Sequence, residues 1–255
     1  MNAAGPLLFA RYAFPPNERG LCGPDDHAAL RDYALAGVTG PGLVRLARGF
    51  AGAWPYLELI AAASNIADPL DRRVVEAYWI GNHLLDNVRM HDYGASLDER
   101  FRGRAGRRWD TIALAIPGGA VPHHSFHVLL VYPWTGLLRE GHAEPSLRVL
   151  DNCLISWGQV VAAGPDTGTV LVLRRSLRWD GRRLSYGPPR PHAVAAGFVT
   201  SLRPGDWVSL HWDCVCDRLN QPQLLALRRL TGCHLRLANA LRAETTSNTL
   251  ADFGP

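Results

Sequence analysis

The first half of the chain carries hydrophobic residues at helical spacing. The clearest run lies within residues 68–88, where apolar side chains recur every three or four positions and would form one face of a helix. Further helices are predicted over 24–37, 41–50 and 55–64, and a short basic helix should follow the capping-box sequence Ser96-Leu97-Asp98-Glu99. Residues 1–145 are therefore expected to form a mainly helical domain.

The pattern changes in the second half of the chain. Short runs with strand character lie at 160–161, 169–173, 177–179, 184–186 and 207–215, and Asp180-Gly181 is a hairpin signal. Residues 220–241 predict a closing helix, which Pro222 helps to start. The fold class is thus α+β, with a small OB-like β-barrel and its helix over 146–242 and a polar tail over 243–255. Residues 126–134 are compatible with either a strand or a buried helix.

Composition narrows the classes of partner. The formal charge is +4 and all 27 basic residues are arginine, without a stripe of arginine and aromatic residues on one strand face, so nucleic-acid binding is not expected. No apolar run approaches the ~20 residues that span a bilayer, and no membrane partner or signal peptide is expected. An odd count of five cysteines suits thiols in a reducing cytoplasm.

Two segments of the second half hold the most specific chemistry. The first is Asn152-Cys153-Leu154-Ile155-Ser156-Trp157-Gly158-Gln159-Val160, and the second is Arg203-Pro204-Gly205-Asp206-Trp207-Val208-Ser209-Leu210-His211. The pair resembles the two signature segments of the HypC family, small chaperones of nickel–iron hydrogenase maturation. Gly158, Gln159, Gly205 and Asp206 match the signature. Trp157 stands where the family has proline, and Cys153 is internal where the family's cysteine follows the initiator methionine.

The resemblance implies a carrier of iron rather than a catalyst. Proteins of this family receive an iron fragment with cyanide and carbon monoxide ligands from an iron–sulfur scaffold protein and pass it to the hydrogenase large-subunit precursor. Cys153 would bind the iron and His211 would support it as a ligand or hydrogen-bond donor, since a thiolate suits such soft, low-spin iron. The alternative interpretations are a buried small cysteine and a structural histidine.

A histidine cluster provides a second candidate site. His123 and His127 would share one face of a helix or a strand, and His124 lies beside them, so the three could hold the metal of a small-molecule metalloenzyme. A third or further ligand could come from Cys22, Asp26 or His27. The alternative is that these imidazoles are buried and hydrogen-bonded within a helical core.

Two other groups are weaker candidates. Cys214 and Cys216 share a strand face but lack the second cysteine pair of a zinc site, so packing is the favoured interpretation. Glu76 and His83 would lie on one face of the helix predicted over 68–88, which is interpreted as a solvated or hydrogen-bonded face. The sequence contains no phosphate-binding loop, nucleophile elbow or His-Glu-x-x-His motif.

Overall fold

The computed structural model describes residues 4–105, 109–132, 137–138, 143–163 and 168–251. The protein is α+β, with helices in the N-terminal part, strands in the C-terminal part and a closing helix. The α-helices are α1 (Gly5–Asn17), α2 (His27–Ala36), α3 (Pro41–Arg48), α4 (Trp54–Ala63), α5 (Arg72–Trp79), α6 (Met90–Ala105), α7 (Trp109–Ala115), α8 (His124–Phe126), α9 (Ala143–Cys153) and α10 (Gln221–Ala251). The strands are β1 (Ser156–Ala163), β2 (Thr169–Arg174), β3 (Leu177–Trp179), β4 (Leu184–Tyr186), β5 (Arg190–Ala195), β6 (Trp207–His211) and β7 (Cys214–Arg218).

The hydrophobic pattern did not predict helix α1, nor helices α7 and α9 and strand β5. Phe9, Ala10 and Tyr12 are fully buried, and the helix contacts α2, α3, α5, β6 and β7. A helix that is covered on most sides shows no polar stripe, so its sequence lacks the amphipathic period. Helix α1 therefore joins the helical part to the strands.

The long helix expected over 68–88 is two elements. Helix α5 ends at Trp79, and a 3-10 helix follows over His83–Asn87. The break lies at Gly81, whose φ of 97° is left-handed and cannot continue a right-handed helix. Glu76 and His83 consequently do not share a helix face. Glu76 instead accepts hydrogen bonds from Arg72, Asn82 and Gln223.

Two further expectations about helices are corrected. Ser96 lies inside α6, which begins at Met90, so the predicted capping box does not start that helix. The segment that allowed a strand or a helix is helical through Val131, as α8 continues into a π-helix over His127–Val131. This segment is almost wholly buried, which explains why hydrophobic density alone did not distinguish the two structures.

Five strands are linked by hydrogen bonds. Strand β1 pairs antiparallel with both β2 and β6, β2 pairs with β5, and β6 pairs with β7. Strands β5 and β7 meet in parallel at Ala195 and Cys214. The separate hairpin β3–β4 turns at the predicted Asp180-Gly181. The strand expected over 207–215 is therefore the β6–β7 hairpin, with its turn at 212–213.

Two hydrophobic clusters hold the molecule together. The smaller one, here the strand cluster, lies among the paired strands and consists of Val160, Val170, Val172, Val194, Val208, Leu210 and Val215. The larger one contains residues of the helical part together with residues of α9, β3, β4 and α10. The expected domain boundary between 145 and 146 falls within α9, and the larger cluster extends across it.

The C-terminal helix is longer than expected. It continues to Ala251, although a tail was expected from 243 onward. Leu224, Leu227 and Ala238 bury its inner face. No helix in the described part of the chain is long and apolar enough to cross a membrane.

Candidate functional site

A cavity of about 300 Å³ lies where the helical part meets the strands. Its lining is mainly apolar and aromatic, with two thiols and three imidazoles at its edges. This space, here the Cys153 cavity, is lined by Pro16, Leu21, Cys22, Gly23, Phe50, Gly52, Ala53, Tyr78, Trp79, His124, His127, Tyr132, Val149, Cys153, His211 and Trp212. Cys153 and His211, distant in sequence, thus lie on the same cavity.

Cys153 is positioned by the end of helix α9. Two residues earlier, Asp151 forms a buried ion pair with Arg174 and accepts a hydrogen bond from the backbone N–H of Leu177 at 2.7 Å. Arg174 also donates to Ser156 Oγ. These bonds attach α9 to β2 and β3 on either side of the cysteine, so its position depends on the sheet.

The Cys153 thiol is neutral at ordinary pH. Burial is the main cause that raises the pKa of Cys153 to about 12; the neighbouring Cys22 thiol contributes to the rise, and Trp212 opposes it. Burial likewise raises the pKa of Cys22 to about 12. A metal ion that binds such a thiol must therefore displace its proton.

His211 has a defined tautomer. Its Nδ1 lies 2.7 Å from the backbone oxygen of Tyr12, and a carbonyl can only accept, so Nδ1 carries the proton. Burial lowers the pKa of His211 to about 4, against the opposing effect of the Tyr12 and Cys153 backbones, so the ring is neutral and Nε2 carries no proton. Metal-binding histidines commonly have this arrangement, with the second nitrogen bonded to a backbone carbonyl.

The orientation of strand β6 follows from its alternation. Val208 and Leu210 belong to the strand cluster, while Ser209 and His211 face the opposite way. That second face is covered by α1, where the hydroxyls of Tyr12 and Ser209 are 2.7 Å apart. His211 lies on this covered face, and its exposed fraction is only 2%.

The turn after His211 brings the two signature segments together. Trp212 and Asp213 have φ values of 50° and 56°, as both central residues of a tight hairpin turn require. The backbone N–H of Trp212 donates to the oxygen of Asn152 at 3.0 Å. This bond joins the residue before Cys153 to the residue after His211, and thereby places both on the cavity.

The other signature residues have structural roles. A side chain at Gly158 would collide with Val172 and the backbone of Leu173, so glycine permits the close approach of β2. Gly205 has a φ of 95° and its N–H donates to Val160, while Gln159 Nε2 donates to the oxygen of Gly205. Asp206 accepts hydrogen bonds from the N–H of Arg203 and from Arg218.

The histidine cluster occupies three different surroundings. His124 donates from Nε2 to the oxygen of Cys153 at 2.9 Å, and its Nδ1 lies 3.2 Å from the hydroxyl of Tyr78. His127 contacts the hydroxyl of Tyr56 through Nδ1 at 3.1 Å. His123 caps the following helical turn and accepts the N–H of Ser125. The residues are near in sequence but have different partners.

A buried hydrogen-bond chain includes His234, which sequence reasoning missed. The N–H of Val121 donates to His234 Nε2, so His234 Nδ1 donates to Ser125 Oγ at 2.7 Å, and that hydroxyl donates to His123 Nδ1. Burial lowers the pKa of both His123 and His234. A lone histidine in a helix carries no sequence signal for such a chain.

Other candidate ligands do not converge. Among the described residues, no three histidine, cysteine or acidic side chains form a group that could hold a metal ion. The thiols of Cys214 and Cys216 are directed at backbone oxygens of their own strand. Cys22, named above only as a possible partner of the histidine cluster, lies on the same cavity as Cys153.

Comparison with known proteins identifies a family. Residues 1–245 match the sequence model described as a family of unknown function, DUF6390. No curated protein and no solved structure matches the chain. The match includes the helical part, the strands and most of α10, so the chain belongs to the DUF6390 family.

Proposed function

We propose that this protein is a hydrogenase maturation factor that carries the iron fragment of the nickel–iron site between Cys153 and His211. The observation that carries the proposal is that these two residues, chosen for their resemblance to the HypC signatures, line one cavity. Its cargo is iron that already bears cyanide and carbon monoxide. The donors are suitable, since a thiolate and a neutral imidazole both bind such iron well.

The surroundings of the two donors support a carrier. The lining is largely apolar, with Trp79 and Phe50 among its walls, and an apolar shell restricts the access of water to a bound metal. Two protein donors leave enough of the coordination sphere of the iron for the cyanide and carbon monoxide ligands that it brings. Because the thiol is protonated when the cavity is empty, loading releases a proton and release of the cargo takes one up.

We also propose that the five paired strands form a small OB-like barrel. The pairings run from β1 through β2, β5, β7 and β6 back to β1, and the strand cluster lies among them.

The protein would act in the cytoplasm with the partners of the HypC family, the iron–sulfur scaffold protein and the hydrogenase large-subunit precursor. Leu21, 49% exposed at the edge of the Cys153 cavity, lies where such a partner would reach the cargo.

The test is a set of cysteine-to-serine variants in a host that makes the hydrogenase. Cys153→Ser is nearly isosteric but replaces a soft donor with a hard one. We expect it to abolish hydrogenase maturation and the infrared bands of iron-bound cyanide and carbon monoxide in the protein purified without oxygen. Cys22→Ser tests the other thiol of the cavity and should retain the bands. Cys233→Ser, on helix α10 outside the cavity lining, is the matched control.

The outcomes separate cleanly. Bands that persist in Cys153→Ser but disappear in Cys22→Ser would show that Cys22, and not Cys153, binds the iron. Full maturation in Cys153→Ser, with soluble and abundant protein, would end the carrier proposal. His211→Gln keeps a polar side chain but lacks the basic Nε2, and it should reduce the iron content of the purified protein without changing its yield.

A further inference from the structure

A second cavity lies on the helical half, away from Cys153 and His211. Its volume is about 460 Å³, and its lining includes Arg48, Trp54, Glu99, Arg100, Phe101 and Gly103. Four of these residues come from helix α6, one from α3 and one from α4. Neither residue of the proposed iron site contributes to this lining, so its occupant would be a different molecule.

Arg100 is the unusual residue of this cavity. Its Nε donates to the backbone oxygen of Ser96 at 2.8 Å, but Nη1 and Nη2 are buried and have no hydrogen-bond partner within the described structure. Its guanidinium carbon lies 4.3 Å from the ring centre of Tyr56 and 5.0 Å from that of Phe101. Aromatic rings attract the charge but accept none of these hydrogens in a normal hydrogen bond. The Tyr56 hydroxyl, whose pKa Arg100 holds down against the larger effect of burial, is a neutral group and balances none of the charge.

A buried guanidinium without a charged acceptor requires explanation. Arginine remains protonated inside proteins, so it cannot relieve the cost of burial by losing its charge. No carboxylate of the described residues lies within ion-pair distance of Arg100, although Glu99 lines the same cavity. The four hydrogens on Nη1 and Nη2 form a planar fork that matches the two oxygens of a carboxylate or phosphate.

The remaining walls indicate what accompanies the negative charge. Trp54 and Phe101 offer flat apolar surfaces, and Trp54 is held by a hydrogen bond from Nε1 to Glu58 at 2.7 Å. The guanidinium of Arg48 lies 5.5 Å from the ring centre of Trp54 and adds a second positive charge. We propose that this cavity binds a small organic oxyanion, with its carboxylate or phosphate on Arg100 and a planar apolar body against the aromatic walls.

The test is calorimetric titration of the full chain with three small probes. Benzoate and phenyl phosphate carry the two possible oxyanions on the same ring, and benzyl alcohol is their neutral counterpart. We expect at least one anion to bind with a Kd below about 1 mM, and benzyl alcohol to bind at least about tenfold more weakly, because charge-assisted hydrogen bonds contribute that much. The anion that binds more tightly identifies the oxyanion class.

Three variants assign the binding to Arg100. Arg100→Gln removes the charge and the fork and should weaken anion binding about tenfold or more. Gly103→Leu retains Arg100 and adds a bulky side chain at the cavity lining, where a Cβ meets nothing within 4 Å, and should weaken binding. Arg102→Gln is the control, because Arg102 is exposed on the same helix and pairs with Asp98. This variant should bind the anions with the affinity of the unchanged protein.

The proposal is overturned if neither anion binds at about 10 mM, if benzyl alcohol binds as tightly as the anions, or if Arg100→Gln binds them with unchanged affinity. These results are independent of the iron proposal, because none of the variants changes a residue that lines the Cys153 cavity.

Discussion

The strand cluster and the wall of the Cys153 cavity are built from different residues in different ways. The strand cluster holds seven aliphatic side chains, all from β1, β2, β5, β6 and β7. The cavity wall is aromatic and imidazole-rich, and it combines residues from α1, the loop after it, α5, the segment 124–132, α9 and the β6–β7 turn. The strand cluster therefore has one type of side chain from one part of the sequence. The cavity wall has several types of side chain from both the helical part and the strands.

The difference between the two regions follows from their chemistry. An aliphatic side chain needs only to be kept from water, so strand alternation is enough to place it. A buried imidazole or phenol needs a partner at hydrogen-bond distance, as His211 finds at Tyr12 and His124 at Cys153. The contribution of the strand cluster to the free energy of unfolding should therefore not change with pH. The contribution of the histidine-rich region should change strongly with pH.

Acidification should have the largest effect. Burial lowers the pKa of His123 and His127 to about 3 and of His211 to about 4, and it also lowers those of His124 and His234. In the unfolded chain these groups bind protons below about pH 6.5, whereas in the folded protein they do not. Stability is thus fully present above pH 6.5 and falls progressively toward pH 4.

The loss is on the order of 1.4 kcal/mol per pH unit for each histidine. Five such groups should remove several kcal/mol by pH 5.5, a large part of ordinary domain stability. Urea unfolding at pH 7.5, 6.5 and 5.5 measures this. A free energy of unfolding that stays constant to within about 1 kcal/mol over that range would show that these imidazoles are not held neutral.

Matched valine substitutions compare the two regions directly. Val172 is fully buried in the strand cluster, so Val172→Ala leaves a void and should cost about 2 kcal/mol. Val149 already faces the Cys153 cavity, so Val149→Ala enlarges existing space and should cost less than about 1 kcal/mol.

Urea unfolding measures both valine variants, and the cost of Val172→Ala should be the same at pH 7.5 and pH 6.5. Equal costs for Val172→Ala and Val149→Ala would mean that the cavity wall is packed as tightly as the strand cluster.

Tyrosine-to-phenylalanine substitutions give the smallest effect. Tyr12→Phe removes the hydroxyl that bonds Ser209 and should cost about 1 kcal/mol. The hydroxyl of Tyr93 is buried with no hydrogen-bond partner in the described structure, so Tyr93→Phe should be neutral or slightly stabilising. Thermal unfolding of the two variants checks this, and a larger loss in Tyr93→Phe would contradict the assigned bonding.

Much of the fold could be read from the chain without its tertiary structure. Helices α2, α3 and α4, the Asp180-Gly181 hairpin and the start of α10 agree with the predicted elements, because capping residues, glycine stops and turn residues act locally. Helix α1 was not predicted because it is buried on most sides. The break at Gly81 was not predicted because one glycine can be tolerated inside a helix.

The sequence by itself determined that helices come first, strands follow and a helix closes the chain, and it determined the choice of Cys153 and His211 as candidates. Tertiary structure alone decided that these two share a cavity, that Cys22 joins them, and that His123, His124 and His127 turn to separate partners. It also buried the Nη atoms of Arg100 without a carboxylate of the described residues beside them. The physical reason is the sequence separation of the residues that interact. Caps and turns depend on neighbours a few residues away, whereas burial and hydrogen bonding of a side chain depend on residues that only folding brings near.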